Sequence, residues 1–580
     1  MNAKSTGSNI RSLGSTIQNT GSDLQNTGSR IQNNGSNIQD NGSKIHDNGS
    51  RIRPTHRPPL RPTLRTLALT AALTATAFTA PPTALASTTT IHAQTVTLTI
   101  RHLDRAGAPA SAYTTHVTGV SGPGAAVEES PHDPSGTVTL RLPKGRYLLD
   151  SNVEGASEGA GTDWIVQPRL DLDHDTTVTV DARTTAPVDV RPPEAAARPR
   201  HALSYVEVSH GGATRSANLI SSAAGLRVAH LGPAAEPGSV KAWVDSFWSG
   251  ERADYGLGYR FASDRALTGL VRKPAPADLA TLKVRAADRD GTGGNGVVAL
   301  QPAEGTSAGL TTQVARPGAA TFLVTPERGR WELAYTTPGT PGTPPNRYEE
   351  RGVPARAGAT TTHTFDNGVL GPAVDRGPST PPAGVRDGDR LALDLPLLAD
   401  GDGHAPTAPS FRSAATTLHR DGVLVGTHRG DPGRGSFTLT APDRARYRLT
   451  ATALHGTGTR AGRTTAVWTF ASAATTTPTA LPLSVVRFTP PLDLDGTAPA
   501  GTELRVPVTV QGPAADKGPR SLRVRVSTDG GTTWTDAPVV AGSVVVRNPA
   551  AGGTVSFRAT LTDAEGNTLD QTLGNAYRTR

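Results

Sequence analysis

The sequence predicts an all-β protein built from tandem β-sandwich domains. Apolar and polar residues alternate in short runs such as TVTLTI (95–100), TVTLRL (137–142) and LRVPVTV (504–510), the pattern of strands that are buried on one face. Turn-forming clusters such as DRAGAP (104–109) separate these runs, and no long stretch carries a helical repeat of apolar residues. Because 580 residues exceed what one hydrophobic core supports, we expect several domains.

The composition narrows the class of protein. The chain has no cysteine, which excludes disulfides, a lipid-modified cysteine, cysteine-based zinc sites and thiol catalysis. Its net charge is +8, but residues 1–86 hold nine Lys or Arg and three Asp, a net charge of +6. The remainder therefore carries only about +2, and the basic pI does not predict nucleic-acid binding.

Residues 53–86 have the features of a secretory signal peptide. An arginine-rich, acid-free stretch precedes an apolar run at about 67–80, two prolines end the run, and the small residues of ALA (84–86) follow. This pattern predicts a short hydrophobic signal helix, cleavage between Ala86 and Ser87, and a secreted protein. The run has about fourteen residues and a membrane span needs about 20, so no stable span is expected. A retained membrane anchor is the alternative.

Seven copies of a seven-residue unit begin between residues 7 and 49 of the tract 1–52, the first being GSNIRSL (7–13). Only one aliphatic position recurs in every unit, beside a Gly-Ser pair, whereas a coiled coil needs two apolar positions per heptad. The tract is therefore predicted to be disordered, with a structured stalk as one alternative. The other alternative is that a misplaced start codon reads through a repeated DNA tract, so that these residues are not part of the secreted protein.

Composition changes divide the exported part into four β-domains. Proline-rich stretches mark the boundaries. The predicted segments are a carboxypeptidase-regulatory-like β-sandwich at 92–186, a linker at 187–200, a second β-domain at 201–374, a third β-sandwich at 385–472 and a C-terminal Ig-like β-sandwich at 482–580.

One segment, GTSA (305–308), is similar to the nucleophile region of subtilisin-like peptidases. Those enzymes need Asp, His and Ser in that order along the chain. The sequence HGT (455–457) follows Ser307 and so stands in the wrong order, and the chain has no methionine after Met1. We therefore predict a loop serine and no catalytic residue.

Aspartate clusters raise the question of calcium. Asp400 and Asp402 in DGDGH (400–404), like the aspartates of DLDHD (171–175), have the spacing of the first ligands of a calcium loop. The complete loop pattern is missing, since position twelve after Asp171 is Ala182 rather than Glu. Asp and Gly are also common turn residues. No metal or cofactor is predicted, and calcium at Asp400 and Asp402 is the alternative.

The sequence STDGGTTW (527–534) matches the Asp-box pattern SxDxGxxW. The residues of the pattern are Ser527, Asp529, Gly531 and Trp534. In this motif an aspartate binds the N–H groups of a hairpin turn and the tryptophan packs beneath it. Sialidases contain the motif as a structural element, so one copy predicts a hairpin in the C-terminal domain rather than a glycosidase.

The densest aromatic group lies in KAWVDSFW (241–248). Trp243 and Phe247 fall on one face of a strand and Trp248 on the other. With only 4% aromatic residues in the chain, core packing is the favoured interpretation. The alternative is a binding platform of exposed rings.

As a set, several segments of the exported part resemble the C-terminal accessory region of secreted subtilisin-like serine peptidases of actinomycetes. The segments are LTIRHLDRAGAPA (98–110), SGTVTLRLPKGRYLLDS (135–151), TDWIVQPRLDLDHDTTVTVDAR (162–183), TFDNGVLGP (364–372), RDGDRLALDLPLLADGDGHA (386–405), VRFTPPLDLDGTAPAG (486–501) and VPVTVQGPA (506–514). The first module also resembles the carboxypeptidase-regulatory β-sandwich, whose PxGxY turn matches Pro143, Gly145 and Tyr147. In the peptidases a catalytic domain stands between the signal peptide and the LTIRHLD-like strand. Here about ten residues separate them, so no catalytic residue is carried over.

Taken together, these features predict a secreted, non-catalytic protein that binds or scaffolds. The expected partners are a cell-envelope component or an extracellular protein, including a separately encoded peptidase or a protein substrate. One alternative is a relic of a peptidase with no activity. The other is an unrecognised extracellular hydrolase that uses paired carboxylates among residues 386–404.

Overall fold

The computed structural model describes residues 94–155, 160–305, 308–339, 344–374 and 381–580. Contacts divide the chain into two units, Met1–Thr88 and Thr89–Arg580, and all described residues belong to the second. Strands account for 56% of the described residues and helices for 3%, which confirms the predicted all-β class of tandem β-sandwiches. The predicted repeat tract, signal peptide and cleavage site at Ala86 and Ser87 lie outside the described residues.

In the described ranges, no helix has both the length and the apolar character needed to cross a bilayer. The one α-helix described, α1, is a single turn at Pro513–Asp516. Four 3-10 turns also occur, at Ala182–Thr184, Pro276–Asp278, Pro326–Arg328 and Gly458–Arg460.

The first fourteen strands form two complete sheets and four of the seven strands of another sheet. They are β1 (Thr95–Leu103), β2 (Tyr113–Ser121), β3 (Glu128–Glu129), β4 (Thr137–Pro143), β5 (Gly145–Glu154), β6 (Thr162–Leu172), β7 (Thr176–Asp181), β8 (Ala186–Val190), β9 (Arg198–His210), β10 (Ala213–Ser221), β11 (Leu226–His230), β12 (Val240–Ser249), β13 (Asp254–Ser263) and β14 (Leu270–Arg272). Sheet A has the strand order β4-β1-β7, and sheet B has the order β14-β8-β11-β6-β5-β2-β3.

Strand β1 illustrates why the predicted pattern forms a sheet. Val96, Leu98 and Ile100 are buried, whereas the threonines between them are partly exposed. Antiparallel pairing with β4 places Leu98 opposite Leu140. The apolar face of sheet A packs against sheet B, as period-two alternation predicts.

Sheet B is covered on both faces. Neighbouring residues of its strands point into different cores: Leu149 and Ile165 pack towards sheet A, and Leu148 and Trp164 pack on the other side, towards sheet C. Consecutive positions of β6 are therefore buried, as in strands that lie between two layers.

The segment predicted as a linker, 187–200, begins in this sheet and ends in β9 of the next one. Strand β8 begins at Ala186 and pairs with β11, which in turn pairs in parallel with β6 from Leu226 opposite Thr162 onwards. Val188 and Val190 are buried, whereas Pro187 and Asp189 are not, and this burial holds β8 in the sheet. The linker prediction is corrected accordingly: the first two predicted domains share one sheet.

The next seven strands complete sheet C and form sheet D. They are β15 (Ala280–Ala286), β16 (Asn295–Pro302), β17 (Leu310–Ala315), β18 (Gly318–Val324), β19 (Arg330–Thr336), β20 (Arg347–Pro354) and β21 (Thr360–Phe365). Sheet C has the order β10-β9-β12-β13-β18-β15-β21, and sheet D has the order β17-β16-β19-β20. One face of sheet C contributes to the core with sheet B, and the other contributes to the core with sheet D.

The remaining strands surround one continuous core. They are β22 (Gly384–Asp387), β23 (Arg390–Asp394), β24 (Ser413–Arg420), β25 (Val423–His428), β26 (Arg434–Thr438), β27 (Ala445–His455), β28 (Gly462–Ser472), β29 (Thr479–Ala480), β30 (Val485–Phe488), β31 (Thr497–Ala498), β32 (Glu503–Gln511), β33 (Ser521–Ser527), β34 (Thr535–Asp536), β35 (Ser543–Arg547), β36 (Thr554–Thr562) and β37 (Thr568–Thr579). Sheet E is β26-β23-β22-β29 and sheet G is β30-β32-β35. Sheet F runs β25-β24-β27-β28-β37-β36-β33-β34, with β31 paired to β37.

Sheet F crosses the boundary predicted near residues 471–482. Strand β28 of the third predicted domain pairs with β37 of the fourth, with Trp468 opposite Leu569. Both residues belong to the same core. The predicted sandwiches 385–472 and 482–580 are therefore halves of one body rather than separate domains.

Candidate functional site

The three aromatic residues predicted from KAWVDSFW lie on β12 in the middle of sheet C, and all are buried. Phe247 packs in the core with sheet D, and Trp248 packs in the core with sheet B. The Trp243 ring lies 4.9 Å from the Tyr205 ring, measured between centroids. These positions are the ones that core packing predicts, and none of the three rings forms an exposed platform.

Beside Trp243 lies an ion pair that the sequence did not indicate. Arg328 donates from Nε to Oδ1 of Asp245 over 2.8 Å, and neither side chain is exposed. The Arg328 guanidinium also lies 5.9 Å from the centre of the Trp243 ring. Burial raises the pKa of Asp245 to about 6, although Arg328 favours its charged form. The pair joins β12 to the turn before β19.

The Asp-box residues form the expected hairpin turn between β33 and β34. The Asp529 carboxylate accepts the Thr533 amide over 2.9 Å and the Ser527 hydroxyl over 2.7 Å. The Gly531 amide donates to Ser527 Oγ over 2.8 Å, and Trp534 Nε1 donates to the Gly531 carbonyl over 3.1 Å. Hydrogen bonds from the Thr533 hydroxyl, the Thr533 amide and the Ser527 hydroxyl hold the pKa of Asp529 well below its usual range. The role of the motif here is that of a turn.

Asp400 faces the protein interior. Its carboxylate accepts the backbone amides of Asp366 and His404 over 3.0 and 2.9 Å, and its side chain has no exposed surface. Burial and the negative charge of Asp400 raise the pKa of nearby Asp402. Over the described ranges, no group of three or more His, Asp or Glu side chains is placed to hold a metal ion. The calcium alternative therefore has no supporting geometry there.

Asp400 belongs to a chain of polar contacts that links sheet D to the loop after β23. His404 Nδ1 lies 3.0 Å from Asp400 Oδ2, and His404 Nε2 lies 3.5 Å from Glu350 Oε2. The same Glu350 oxygen lies 2.8 Å from His363 Nδ1. The ring of His363 ends the chain at Thr361, whose Oγ1 lies 2.7 Å from its Nε2.

The charged groups in this series of polar contacts stabilise one another. Burial disfavours the charged form of His404, but Asp400 and Glu350 outweigh burial and raise the pKa of His404 to about 10. Burial likewise opposes the charge on Glu350, but His363 and His404 lower its pKa to about 2. At neutral pH the group is therefore a buried imidazolium held by two carboxylates.

A second set of charges surrounds Asp366, directly after β21. Its carboxylate accepts the Tyr348 hydroxyl over 2.9 Å and lies 3.3 Å from Arg289 Nη2 and 3.5 Å from Arg316 Nη2. Only 4% of the Asp366 side chain and 2% of the Arg316 side chain are exposed. The backbone amide of Asp366 also donates a hydrogen bond to Asp400. Together, these contacts connect sheets C and D to the C-terminal body.

Arg487 closes the arrangement from the opposite side. It projects from β30 and donates from Nη1 to the carbonyls of Gly371 and Pro372 over 2.9 and 3.2 Å. Its Nη2 donates to the carbonyl of Asp400. We call this set the junction network: the segments 364–374 and 400–404 with the side chains Arg289, Arg316, Tyr348, Glu350, His363 and Arg487.

The junction network offers little to a substrate. Asp400 and Asp366 are buried and paired with His404 and with arginines, and Arg487 is held by backbone carbonyls. A small cavity does open beside it, lined in part by Arg289, His455, Arg460 and Arg578. Ser307, predicted above to be a loop serine, lies outside the described residues.

The sequence draws attention to the aspartates of DGDGH but does not reveal the partners of Asp400. Glu350 and His363 stand in ordinary strand sequences, and Arg487 stands among apolar residues in VVRF (485–488). A charged residue inside an apolar strand is the one available indication, because such a residue needs a buried partner. The identity of that partner depends on tertiary structure.

Neither a protein-family model nor a curated protein matches the sequence. Among solved structures, the Bacillus anthracis TIE protein is 11% identical with a TM-score of 0.13, over 47% of this chain and 50% of that chain. The chain thus spans half the length of that protein. Immunoglobulin domains 1–5 of Sidekick-1 are 9% identical with a TM-score of 0.10, over 79% of this chain and 91% of that chain.

Proposed function

We propose that this chain is a secreted, non-catalytic multi-domain β-sandwich protein that acts in binding or scaffolding. Its site of action is the cell envelope, or a complex with a peptidase or a protein substrate. The observation that carries the proposal is the continuity of the body. Sheets B and F each pass from one predicted domain into the next, and the junction network connects sheets C and D to the C-terminal body. A continuous body of this kind presents surfaces at fixed positions.

The environment of the charged residues supports a non-catalytic function. A general acid or base has to reach its substrate. In the junction network the carboxylates of Asp366 and Asp400 instead satisfy buried arginines, amides and an imidazole. Such contacts stabilise a connection between modules.

The resemblance to the accessory region of subtilisin-like peptidases is part of the proposal. Three of the segments that carry it, at 364–372, 386–405 and 486–501, meet at the junction network, the third from a distant part of the sequence. A common structural role for these segments accounts for their occurrence as a set.

The alternative of a hydrolase has one specific observation in its favour. Thr361 Oγ1, His363 and Glu350 follow one another at 2.7 and 2.8 Å, the order of hydroxyl, imidazole and carboxylate in nucleophilic catalysis. Thr361 is half-buried, on β21 at the edge of sheet C. The hydrolase alternative therefore assigns the nucleophile to Thr361 rather than to residues 386–404.

The test is an assay of purified residues 87–580 with casein and with glycans, together with retention on isolated cell envelope. We expect no hydrolysis and specific retention. Hydrolysis that is lost in Thr361→Val would establish the hydrolase and end the non-catalytic proposal. Neither hydrolysis nor retention on envelope or on secreted proteins would favour the relic.

A further inference from the structure

We propose that the cavity beside the junction network binds a small oxyanion, namely a carboxylate, phosphate or sulfate group. We call it the arginine cavity. The proposal concerns a site that the proposed function does not use, and it requires neither export nor scaffolding to be correct.

The arginine cavity lies where three parts of the fold meet. Its walls come from Arg289 after β15, from the β27–β28 hairpin at 455–464, and from β37 at 573–578. Its volume is about 50 Å³, and it opens to solvent. A single water needs about 10–15 Å³ of such space, so there is room for an ion of a few heavy atoms.

The charge of the lining is entirely positive. Arg289, Arg460 and Arg578 contribute to it, and no acidic side chain of the described ranges is part of the lining. Of the three, Arg289 shares the carboxylate of Asp366, 3.3 Å away, with Arg316.

The other two arginines bind neutral groups. Arg460 donates to the backbone carbonyls of Arg289 and Asp495, and Arg578 donates to the Thr459 hydroxyl over 3.1 Å. No carboxylate accompanies either guanidinium in the part of the chain that is described. Clustered cations that are partly removed from water are costly without a counter-charge, and an oxyanion supplies one.

Two buried polar atoms at the cavity have no hydrogen-bond partner. His455 is 8% exposed and its Nδ1 is unpartnered, while its Nε2 lies 3.3 Å from Thr464 Oγ1. The Nε of Arg578 is also buried without a partner. Since nearly all buried polar groups in proteins are hydrogen-bonded, two orphans in one small cavity indicate a missing acceptor.

The chemistry of these groups matches an oxyanion. Guanidinium groups bind carboxylate, phosphate and sulfate oxygens through parallel N–H bonds. Burial, with the positive charges of Arg289 and Arg412, lowers the pKa of His455 to about 4, so its ring is neutral near pH 7 and has one N–H to donate. Water would satisfy the orphan atoms but would leave the positive charge unbalanced.

The experiment is calorimetric titration of the full chain with sodium sulfate, sodium phosphate and sodium acetate against sodium chloride at the same ionic strength. We expect saturable binding of at least one oxyanion. A short peptide and its C-terminal amide form a further arm: preference for the free carboxylate identifies a chain end as the source, whereas preference for sulfate or phosphate identifies an inorganic or ester group.

The variants are Arg460→Met and Arg578→Met, and the control is Arg448→Met, which removes an exposed arginine from β27 outside the cavity lining. We expect each cavity variant to weaken binding by at least tenfold and the control to leave it unchanged. No saturable binding beyond that of chloride, or equal binding by the control and both cavity variants, overturns the proposal. If a cavity variant fails to fold, the NMR resonances of the His455 ring in the unmodified chain provide the test. A saturable shift on addition of the oxyanion supports the site, and no shift overturns the proposal.

Discussion

His404 and Asp400 form an ion pair that is almost completely removed from solvent. Nδ1 of the imidazole lies 3.0 Å from Oδ2 of the carboxylate, and the two side chains are 8% and 0% exposed. With Glu350 on the other ring nitrogen, the histidine carries a positive charge between two carboxylates at a point where the halves of the molecule meet. The junction therefore depends on the protonation state of one side chain.

The first prediction concerns alkaline pH. The pKa of His404 is about 10 in the folded protein and 6.5 in the unfolded chain, so its charge stabilises the fold fully below pH 6.5 and loses this effect as the pH rises through 10. Urea unfolding at a series of pH values measures the loss. His404→Gln should remove the pH dependence between about 6.5 and 10; an unchanged slope in that variant would contradict the assignment.

The second prediction concerns acidic pH, where the stability of the fold should depend on Glu350. Its pKa falls from 4.5 to about 2 on folding, so its stabilising effect is present above pH 4.5 and is lost as the pH falls through 2. Glu350→Gln is expected to be less stable at pH 7 and to lose less stability on acidification than the unmodified chain. The same urea series measures both quantities, and parallel acid curves for the two proteins would rule the prediction out.

A third prediction tests the Asp245–Arg328 pair on β12. Asp245→Asn leaves a buried guanidinium without its counter-charge, which typically costs about 3–5 kcal/mol in the free energy of unfolding. Lys241→Met on the same strand is the control, because the Lys241–Glu207 pair is largely exposed and is expected to contribute less than about 1 kcal/mol. Chemical denaturation compares the two, and equal effects would refute the distinction.

The aromatic residues of β12 give a fourth prediction. Trp243→Ala and Trp248→Ala should each destabilise the fold by about 3–5 kcal/mol, because each leaves a space in a packed layer. Thermal unfolding provides the measurement. If both variants fold with unchanged stability and only lose retention on cell envelope, the rings act as a binding platform instead of a core.

The Asp-box hairpin gives the fifth. Asp529→Ala removes the acceptor of the Thr533 amide, so hydrogen exchange at that amide should accelerate about tenfold or more while the remaining sheet keeps its protection. Thr532→Val is the matched control, since it removes a neighbouring hydroxyl that donates to the Asp529 carbonyl and leaves the carboxylate in place. Exchange that is unchanged in Asp529→Ala would show that the turn does not depend on the carboxylate.

Local chemistry accounts for what the sequence could predict. The alternation in TVTLTI predicted the buried residues of β1, and SxDxGxxW predicted the bonds of its turn, because in both cases the interacting residues are neighbours in the chain. The domain boundaries depend on pairing between distant strands. Proline-rich composition at 187–200 predicts a linker, but the parallel pairing of β6 with β11 brings β8 into the sheet, and no local pattern records that pairing.

The junction network could likewise not be predicted from local sequence. The DGDGH segment was visible as a cluster of aspartates, but its physical role is set by Glu350, Asp366 and Arg487. These residues reach it from other strands. Periodicity indicates which side of a strand is buried, but it does not indicate which charged residue of another strand contacts that side.

The pairing of β6 with β11 has a mechanical consequence. When a force pulls the two ends of the chain apart, it acts on β8 at the start of 187–200, which is held between β11 and β14. Before the first module can swing away or be cut off by a protease, the hydrogen bonds from Thr162–Leu226 to Val166–His230 have to break. Under tension, the first two predicted domains would therefore resist extension together rather than separate one after the other.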